Sequence, residues 1–316
     1  MGETMNIEVS KEVAKPTATT VYIWDMDETL ILLKSLLDGT YAGHFNGLKD
    51  TRKGVEIGKQ WENHIIHICD EYFFYEEIEN YNEPFLGSSS EYDDGQDLSN
   101  YVFDNDGFSF PYDDSNKRKL AYRHRSISEK YSQGLNKVLD QEMIKIWKDL
   151  YYLTDKYTDG WLSSGHSLLE QSLGKNSLSA SNLPSDMKLG SISTNNKSIN
   201  ALVTSGALIP SLAKCLLYQL DDVIPANSVY SSWEVGKHQC FSWIKERFGG
   251  PNVRFCVIGD GPEECEAAQK MRWPFIKIDM RRSSPCRFPG LTMKMVQSYI
   301  EVIYGPPDAE MEEMNE

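Results

Sequence analysis

The stretch Val21-Tyr22-Ile23-Trp24-Asp25-Met26-Asp27-Glu28-Thr29 decides the fold of this 316-residue chain. A run of β-branched and aromatic residues ends abruptly at two aspartates one residue apart. Such a run, bounded by polar residues, reads as a buried strand. In an open parallel sheet, ligands bind beyond the carboxyl ends of the strands. Asp25 stands at that edge, with Asp27 just past it. Side chains of extended backbone repeat their direction every second residue, so these two carboxylates can share one site. The plainer alternative is that they only close a strand and cap the next helix. The apolar run Leu30-Ile31-Leu32-Leu33 follows, and it reads as the start of a helix over Leu30 to Leu37.

Working outward, 40% of the residues are hydrophobic, enough for a core, and the formal net charge is −15. A chain this acidic does not coat nucleic acid or bind an anionic membrane. No apolar stretch reaches the ~20 residues of a membrane span. The first residues, MGETMNIEVSKEVAKP, lack the apolar centre of a signal peptide, and Asn6 breaks the myristoylation pattern. The six cysteines form no CxxC pair, and several lie in apolar runs. They read as buried thiols in a reducing compartment, neither a disulfide frame nor a zinc site. The expected location is the nucleus or the cytoplasm.

Residues 1–17 read as a flexible arm, 39–170 as a mostly helical insertion, 171–198 as a Ser/Asn-rich linker and 306–316 as an acidic tail. The insertion shows helical spacing at Trp61, Ile65, Ile68 and Cys69, at Leu120, Tyr122, Ile127 and Tyr131, and at Met143, Trp147, Leu150, Tyr151 and Leu153. Residues 70–114 hold fourteen acidic residues and no Lys or Arg, and a basic run (Lys117, Arg118, Lys119, Arg123, Arg125) follows at once. That segment is either a solvated loop whose counter-ions are those bases or an acidic surface that selects partners. Its DDGQDLSNY lacks the closing Glu and flanking helices of a calcium loop.

Strand-like runs return at Ile199–Val203, Val229–Ser231, Phe255–Ile258 and Phe275–Ile278, with helical stretches between them. Residues 18–38 and 199–305 therefore read as an α/β core with a doubly wound parallel sheet. Thr204 ends the second strand, Lys237 opens a helix, and Asp260 follows the fourth strand in Gly259-Asp260-Gly261-Pro262-Glu263-Glu264. All of these positions face one edge of such a sheet.

Asp-x-Asp-x-Thr resembles the signature of the haloacid dehalogenase-like phosphatases, which use an aspartate nucleophile and magnesium. On that reading Asp25 attacks phosphorus. Asp27 protonates the leaving oxygen and then activates water. Thr204 and Lys237 bind the phosphate. Mg2+ takes oxygen ligands from Asp25, the Asp27 backbone carbonyl and Asp260, with Glu264 or Glu263 as a further candidate. The nearest approach to a cysteine-phosphatase motif, Cys265 to Arg272, has six intervening residues and Glu264 in the place of His.

The chain further resembles the Eyes absent family of protein tyrosine phosphatases. The likeness covers about residues 20–305. It rests on WDMDETLILLKSLLDGTYA, DDGQDLSNYVFDNDGFS, RKLAYRHR, LVTSGALIPSLAKCLLYQL, VYSSWEVGKHQCFSWIKERFG and VIGDGPEECEAAQ. It implies a haloacid dehalogenase-like fold with a large helical insertion after the first motif. It also implies magnesium-dependent hydrolysis of phosphotyrosine in protein substrates, and a nuclear or transcription-factor partner met through the insertion. Two departures stand out. Only a short stretch precedes Asp25, as in short plant members, which leaves open whether direct transactivation is retained. Thr204-Ser205-Gly206 replaces a run of threonines found in animal members. A phosphatase-fold scaffold or transcription cofactor with little turnover, or a small-metabolite phosphatase, are the competing functions.

Overall fold

The computed structural model describes residues 18–175 and 198–305. The arm expected at 1–17, the tail at 306–316 and most of the linker at 171–198 lie outside the described residues. Five strands form one sheet: β1 (Thr19–Trp24), β2 (Ser198–Thr204), β3 (Val229–Ser231), β4 (Val253–Gly259) and β5 (Phe275–Lys277). All four pairings are parallel, in the order β3-β2-β1-β4-β5, so the strand that carries the aspartates is central. The expected α/β parallel sheet is present.

The two faces of β1 follow the period of two. Val21 and Ile23 pack with Ala201, Val203, Phe255 and Val257 on one face. Tyr22 and Trp24 pack with Leu202, Cys256 and Ile258 on the other. A strand buried on both faces needs apolar residues on both, and Val21 to Trp24 supply them.

After the short α1 (Lys34–Leu37), helices fill the insertion: α2 (Thr40–Gly43), α3 (Thr51–Tyr72), α4 (Tyr75–Ile78), α5 (Asp114–Gln133), α6 (Leu135–Val138), α7 (Gln141–Tyr157) and α8 (Trp161–Ser172). The long ones begin at aspartates that accept backbone N–H groups, Asp50 for α3, Asp113 for α5 and Asp140 for α7. The periodic residues do form the core. Trp61, Ile65, Ile68, Cys69, Leu120, Tyr122, Ile127, Tyr131, Trp147 and Leu150 are buried, while Met143, Tyr151 and Leu153 are half-buried against them. The remaining helices α9 (Leu208–Leu217), α10 (Lys237–Phe248), α11 (Pro262–Met271) and α12 (Met293–Tyr304) complete the α/β core.

Polar groups of buried aromatic residues fasten the insertion to the α/β core. Trp161 Nε1 donates to Thr29 O at 3.0 Å, Trp147 Nε1 to Leu217 O at 2.7 Å, and Tyr131 Oη to Ile224 O at 2.8 Å. Buried indole and phenol groups find partners because an unpaired polar atom in the core is costly.

Two expectations need correction. The expected helix over Leu30–Leu37 is only α1, four residues long. Before it the chain makes a tight loop in which Thr29, Leu30 and Ile31 all direct their N–H to Met26 O. Glu28 takes a φ of 61°, which no right-handed helix contains. The linker expected from residue 171 begins inside α8. The acidic segment is folded onto the basic face of α5. Arg118 meets Asp94 at 3.4 Å, Arg123 meets Asp106 at 2.7 Å, and Arg125 meets Asp93 at 2.9 Å. Its counter-ions are the bases that follow it. Four cysteines are buried and Cys265 is exposed, all of them free thiols. Among the described residues no helix is long and apolar enough to cross a membrane.

Candidate active site

The carboxyl ends of β1, β2 and β4 enclose a cleft of about 170 Å³, lined among others by Asp25, Asp27, Ser205, Lys237, Asp260 and Glu264. Asp25 ends the central strand, and its N–H donates to Ile258 O at 2.9 Å, which fixes it against β4. Lys237 is the first residue of α10. Its helix starts there because Gly236, at φ 77°, makes a turn that side-chain-bearing residues resist. Lys237 Nζ donates to Asp25 Oδ1 at 2.5 Å and to Glu264 Oε2 at 2.7 Å.

Glu264 has both oxygens engaged, since Oε1 accepts the Gly261 N–H at 2.5 Å and so caps α11. Its close approach explains one glycine of the Gly-Asp-Gly turn. A Cβ on Gly259 would lie 2.6 Å from Glu264 Cγ. Asp260 is reached by Thr29 Oγ1 at 3.3 Å, and the same hydroxyl lies 3.0 Å from Asp25 Oδ2. Asp27 points to a different cation: Lys214 Nζ donates to its Oδ1 at 2.7 Å and its Oδ2 at 3.0 Å.

The electrostatics are unbalanced. Asp25, Asp260 and Glu264 bring carboxylate oxygens within 4.8 Å of one another, against the one ammonium of Lys237. Burial pushes the Asp25 carboxyl up to about 7. Lys237 pulls it down, and Glu264 and Asp260 push it up. Burial and Glu264 raise Asp260 as well. For Glu264, burial works upward but Lys237 and the Gly261 N–H outweigh it, so its carboxyl is lowered. A surplus of hard oxygen donors at this spacing suits a divalent cation such as Mg2+.

Asp25, Asp27, Lys237, Asp260 and Glu264 are thus brought together as the spacing suggested. Thr204 is not at the cleft wall. It is 1% exposed, and its Oγ1 accepts the Gly206 N–H at 3.1 Å, while its neighbour Ser205 lines the cleft. Two participants escaped sequence reasoning. Thr29 bridges two carboxylates, although its place in the Asp-x-Asp-x-Thr pattern marked it. Lys214 is the lone charged residue of the apolar helix α9, a signal that could have singled it out.

A parallel sheet with a carboxylate-rich, ammonium-bearing cleft at the end of its central strand is chemically suited to a divalent cation and an anionic phosphoryl group. No family model matches the chain. It is 54% identical over 310 residues to protein phosphatase EYA of Arabidopsis thaliana, covering 97% of this chain and 99% of that protein. It is 36% identical to protein phosphatase EYA2 of Homo sapiens and 30% identical to protein phosphatase eya of Drosophila melanogaster. Those matches cover 82% and 90% of this chain but 47% and 36% of the relatives, so it spans half or less of their length. Among solved structures, the L-2-haloacid dehalogenase of Xanthobacter autotrophicus aligns over 82% of this chain and 76% of its own at a TM-score of 0.32 and 11% identity. The fold is given by the parallel strand order itself. The chain belongs to the Eyes absent (EYA) family of protein phosphatases.

Proposed function

We propose that the chain is a magnesium-dependent protein tyrosine phosphatase that works through an aspartyl-phosphate on Asp25. The observation that carries the reading is the placement of Asp25, at the end of the central strand and 2.5 Å from the Lys237 ammonium. Asp25 and Asp260, with the backbone carbonyl of Asp27, would hold Mg2+, which when bound neutralises phosphoryl oxygens and keeps the Asp25 carboxylate ionised. Glu264, with both oxygens engaged, orients Lys237.

Lys237 meets a phosphoryl oxygen with its ammonium, and Ser205 offers a hydroxyl from the cleft wall in the place expected of Thr204. Asp25 then attacks phosphorus in line, the P–O ester bond breaks, and its electron pair leaves with the phenolic oxygen. Asp27 supplies the proton to that oxygen. In the second step Asp27 takes a proton from water, which attacks phosphorus, frees inorganic phosphate and restores Asp25. Protein substrates reach the cleft in the nucleus or the cytoplasm.

The test is phosphate release from a phosphotyrosine peptide with magnesium, with EDTA, and with Asp25→Asn in magnesium. Turnover is expected in the first case alone. EDTA-resistant turnover, or wild-type turnover by Asp25→Asn, would refute the mechanism.

A further inference from the structure

A second cleft opens beside the catalytic one. It has a volume of about 370 Å³ and shares Ser205, Lys237 and Glu263 with it, so the two form one continuous depression. Trp233, on the segment between β3 and α10, stands on its wall with 66% of its surface exposed. The other tryptophans, all within the described residues, are buried or half-buried. An indole left in water forgoes the stabilisation that its burial would bring.

The segment that displays the ring is tightly held. Ser232 donates both its N–H and its hydroxyl to Thr204 O, at 2.8 and 3.0 Å, and the Gly236 N–H returns to Ser232 O at 2.8 Å. The ring is therefore presented from a turn tied to the end of β2. Around it the charges are mixed, with Lys237 and Lys270 beside Glu263 and Glu266. A cleft of that composition does not favour a second strongly charged group. It suits a flat, neutral ring that follows a phosphate seated at Lys237.

We propose that Trp233 is the platform on which the ring of an aryl phosphate monoester stacks while its phosphate lies against Lys237. The two clefts are then one site that prefers aryl to alkyl phosphates. The inference rests on the tyrosine phosphatase reading above and adds a specificity residue to it. Offset or edge-to-face stacking on indole corresponds to a preference of about 3- to 10-fold. An alkyl phosphate has no π face and gains none of it.

The experiment compares phenyl phosphate with ethyl phosphate by calorimetric titration into the Asp25→Asn protein, which leaves the ester intact. Trp233→Ala and Trp233→Phe are added in the same background. Phenyl phosphate should bind about 3- to 10-fold more tightly than ethyl phosphate. The preference should vanish in Trp233→Ala and survive in Trp233→Phe. In the wild-type background, Trp233→Ala should raise KM for a phosphotyrosine peptide by a similar factor. An equal preference in all three proteins overturns the platform. If the preference follows Trp233 but wild-type protein with magnesium releases no phosphate from the peptide, the platform stands and the tyrosine phosphatase reading fails. Turnover with a KM indifferent to residue 233 has the reverse meaning.

Discussion

Arg123 in the insertion and Lys237 at the sheet edge are both buried cations ringed by carboxylates, with side chains 1% and 4% exposed. Around Arg123 the valences close. Its Nε donates to Glu77 at 2.8 Å and its Nη1 to Asp106 at 2.7 Å, while Asp106 also accepts the Phe108 N–H at 2.7 Å and the Tyr101 hydroxyl at 3.0 Å. Burial works against the Asp106 carboxylate, but the guanidinium and these donors outweigh it, and the carboxyl is lowered. Around Lys237 the valences stay open. One ammonium faces three carboxylates, and Asp25 is pushed up to about 7. Arg123 also faces one carboxylate more than its own charge, but Glu77 is 37% exposed and solvated, and the buried Asp106 is held by its other donors. A crowded, buried surplus of carboxylates is a candidate functional site, and the reading proposed above fills it with a cation and a phosphoryl group.

The largest effect that sharpens this contrast belongs to Asp27, which lines the active cleft but is held by Lys214 outside the crowded cluster. As the proton donor to a phenol with an ordinary pKa of ~10, it should matter greatly for phosphotyrosine and little for a nitrophenol. Asp27→Asn should slow phosphoenzyme formation by about 10²–10⁴-fold with a phosphotyrosine peptide, and only weakly with nitrophenyl phosphate. Single-turnover quench-flow measures both. Equal slowing with the two substrates would leave Asp27 a positioning residue.

Next in size is the closed cluster. Arg123→Met leaves Glu77 and the buried Asp106 without their cation, a loss of about 3–5 kcal/mol. Urea unfolding at pH 7 should show it as a lower midpoint. A change below 1 kcal/mol would mean that the insertion does not depend on this cluster.

Why was one cluster legible residue by residue and the other only as an acidic segment facing the bases that follow it? The carboxylates of the cleft sit at strand ends, where short-range pattern and topology coincide: Asp25 after a run of apolar residues, Asp260 after another. A parallel sheet then brings them together with no knowledge of the loops. Arg123 draws its partners from positions 17 and 46 residues away, across irregular backbone that carries no periodic signal. Leu30–Leu33 misled for a related reason. An apolar run has the same composition in a buried loop as in a helix, and the left-handed turn at Glu28 is invisible where no glycine announces it. Thr204 and Ser205 differ by one residue, and the strand end alone does not say which of two hydroxyls turns inward to accept the Gly206 N–H.

His124, beside Arg123 on α5, carries the comparison to a group with no counter-ion among the described residues. It is buried, its Nδ1 lies 2.8 Å from Ser89 Oγ, and burial lowers its pKa to about 4. The folded state therefore binds fewer protons than the unfolded state between about pH 6.5 and 4. Its contribution to stability is complete above the unfolded pKa and is lost as pH falls through that window. His124→Gln should remove about 2 kcal/mol of the stability difference between pH 7 and pH 5. Urea titrations of both proteins at the two pH values measure it, and parallel losses would show that His124 is not the group responsible.

The smallest expected effect is also the one that reads the open cluster most directly. Asp260→Asn keeps the shape of the side chain and a carbonyl oxygen for the Thr29 hydroxyl, but takes one charge from a group of three carboxylates facing one ammonium. Removing a poorly compensated buried charge is neutral or stabilising, here by about 1 kcal/mol. In EDTA the variant should therefore unfold at the same temperature as wild type or slightly above it. Magnesium should reverse the order. A ligand that binds only the folded state stabilises it by RT ln(1 + [L]/Kd), about 2.7 kcal/mol at a hundredfold excess over Kd. Asp260→Asn, having lost a ligand oxygen, should gain much less. Thermal unfolding of both proteins across a magnesium series should thus give curves that cross. Parallel curves would mean that Asp260 does not bind the cation. A variant less stable than wild type in EDTA would mean that the cluster is already balanced, and that the contrast with Arg123 is false.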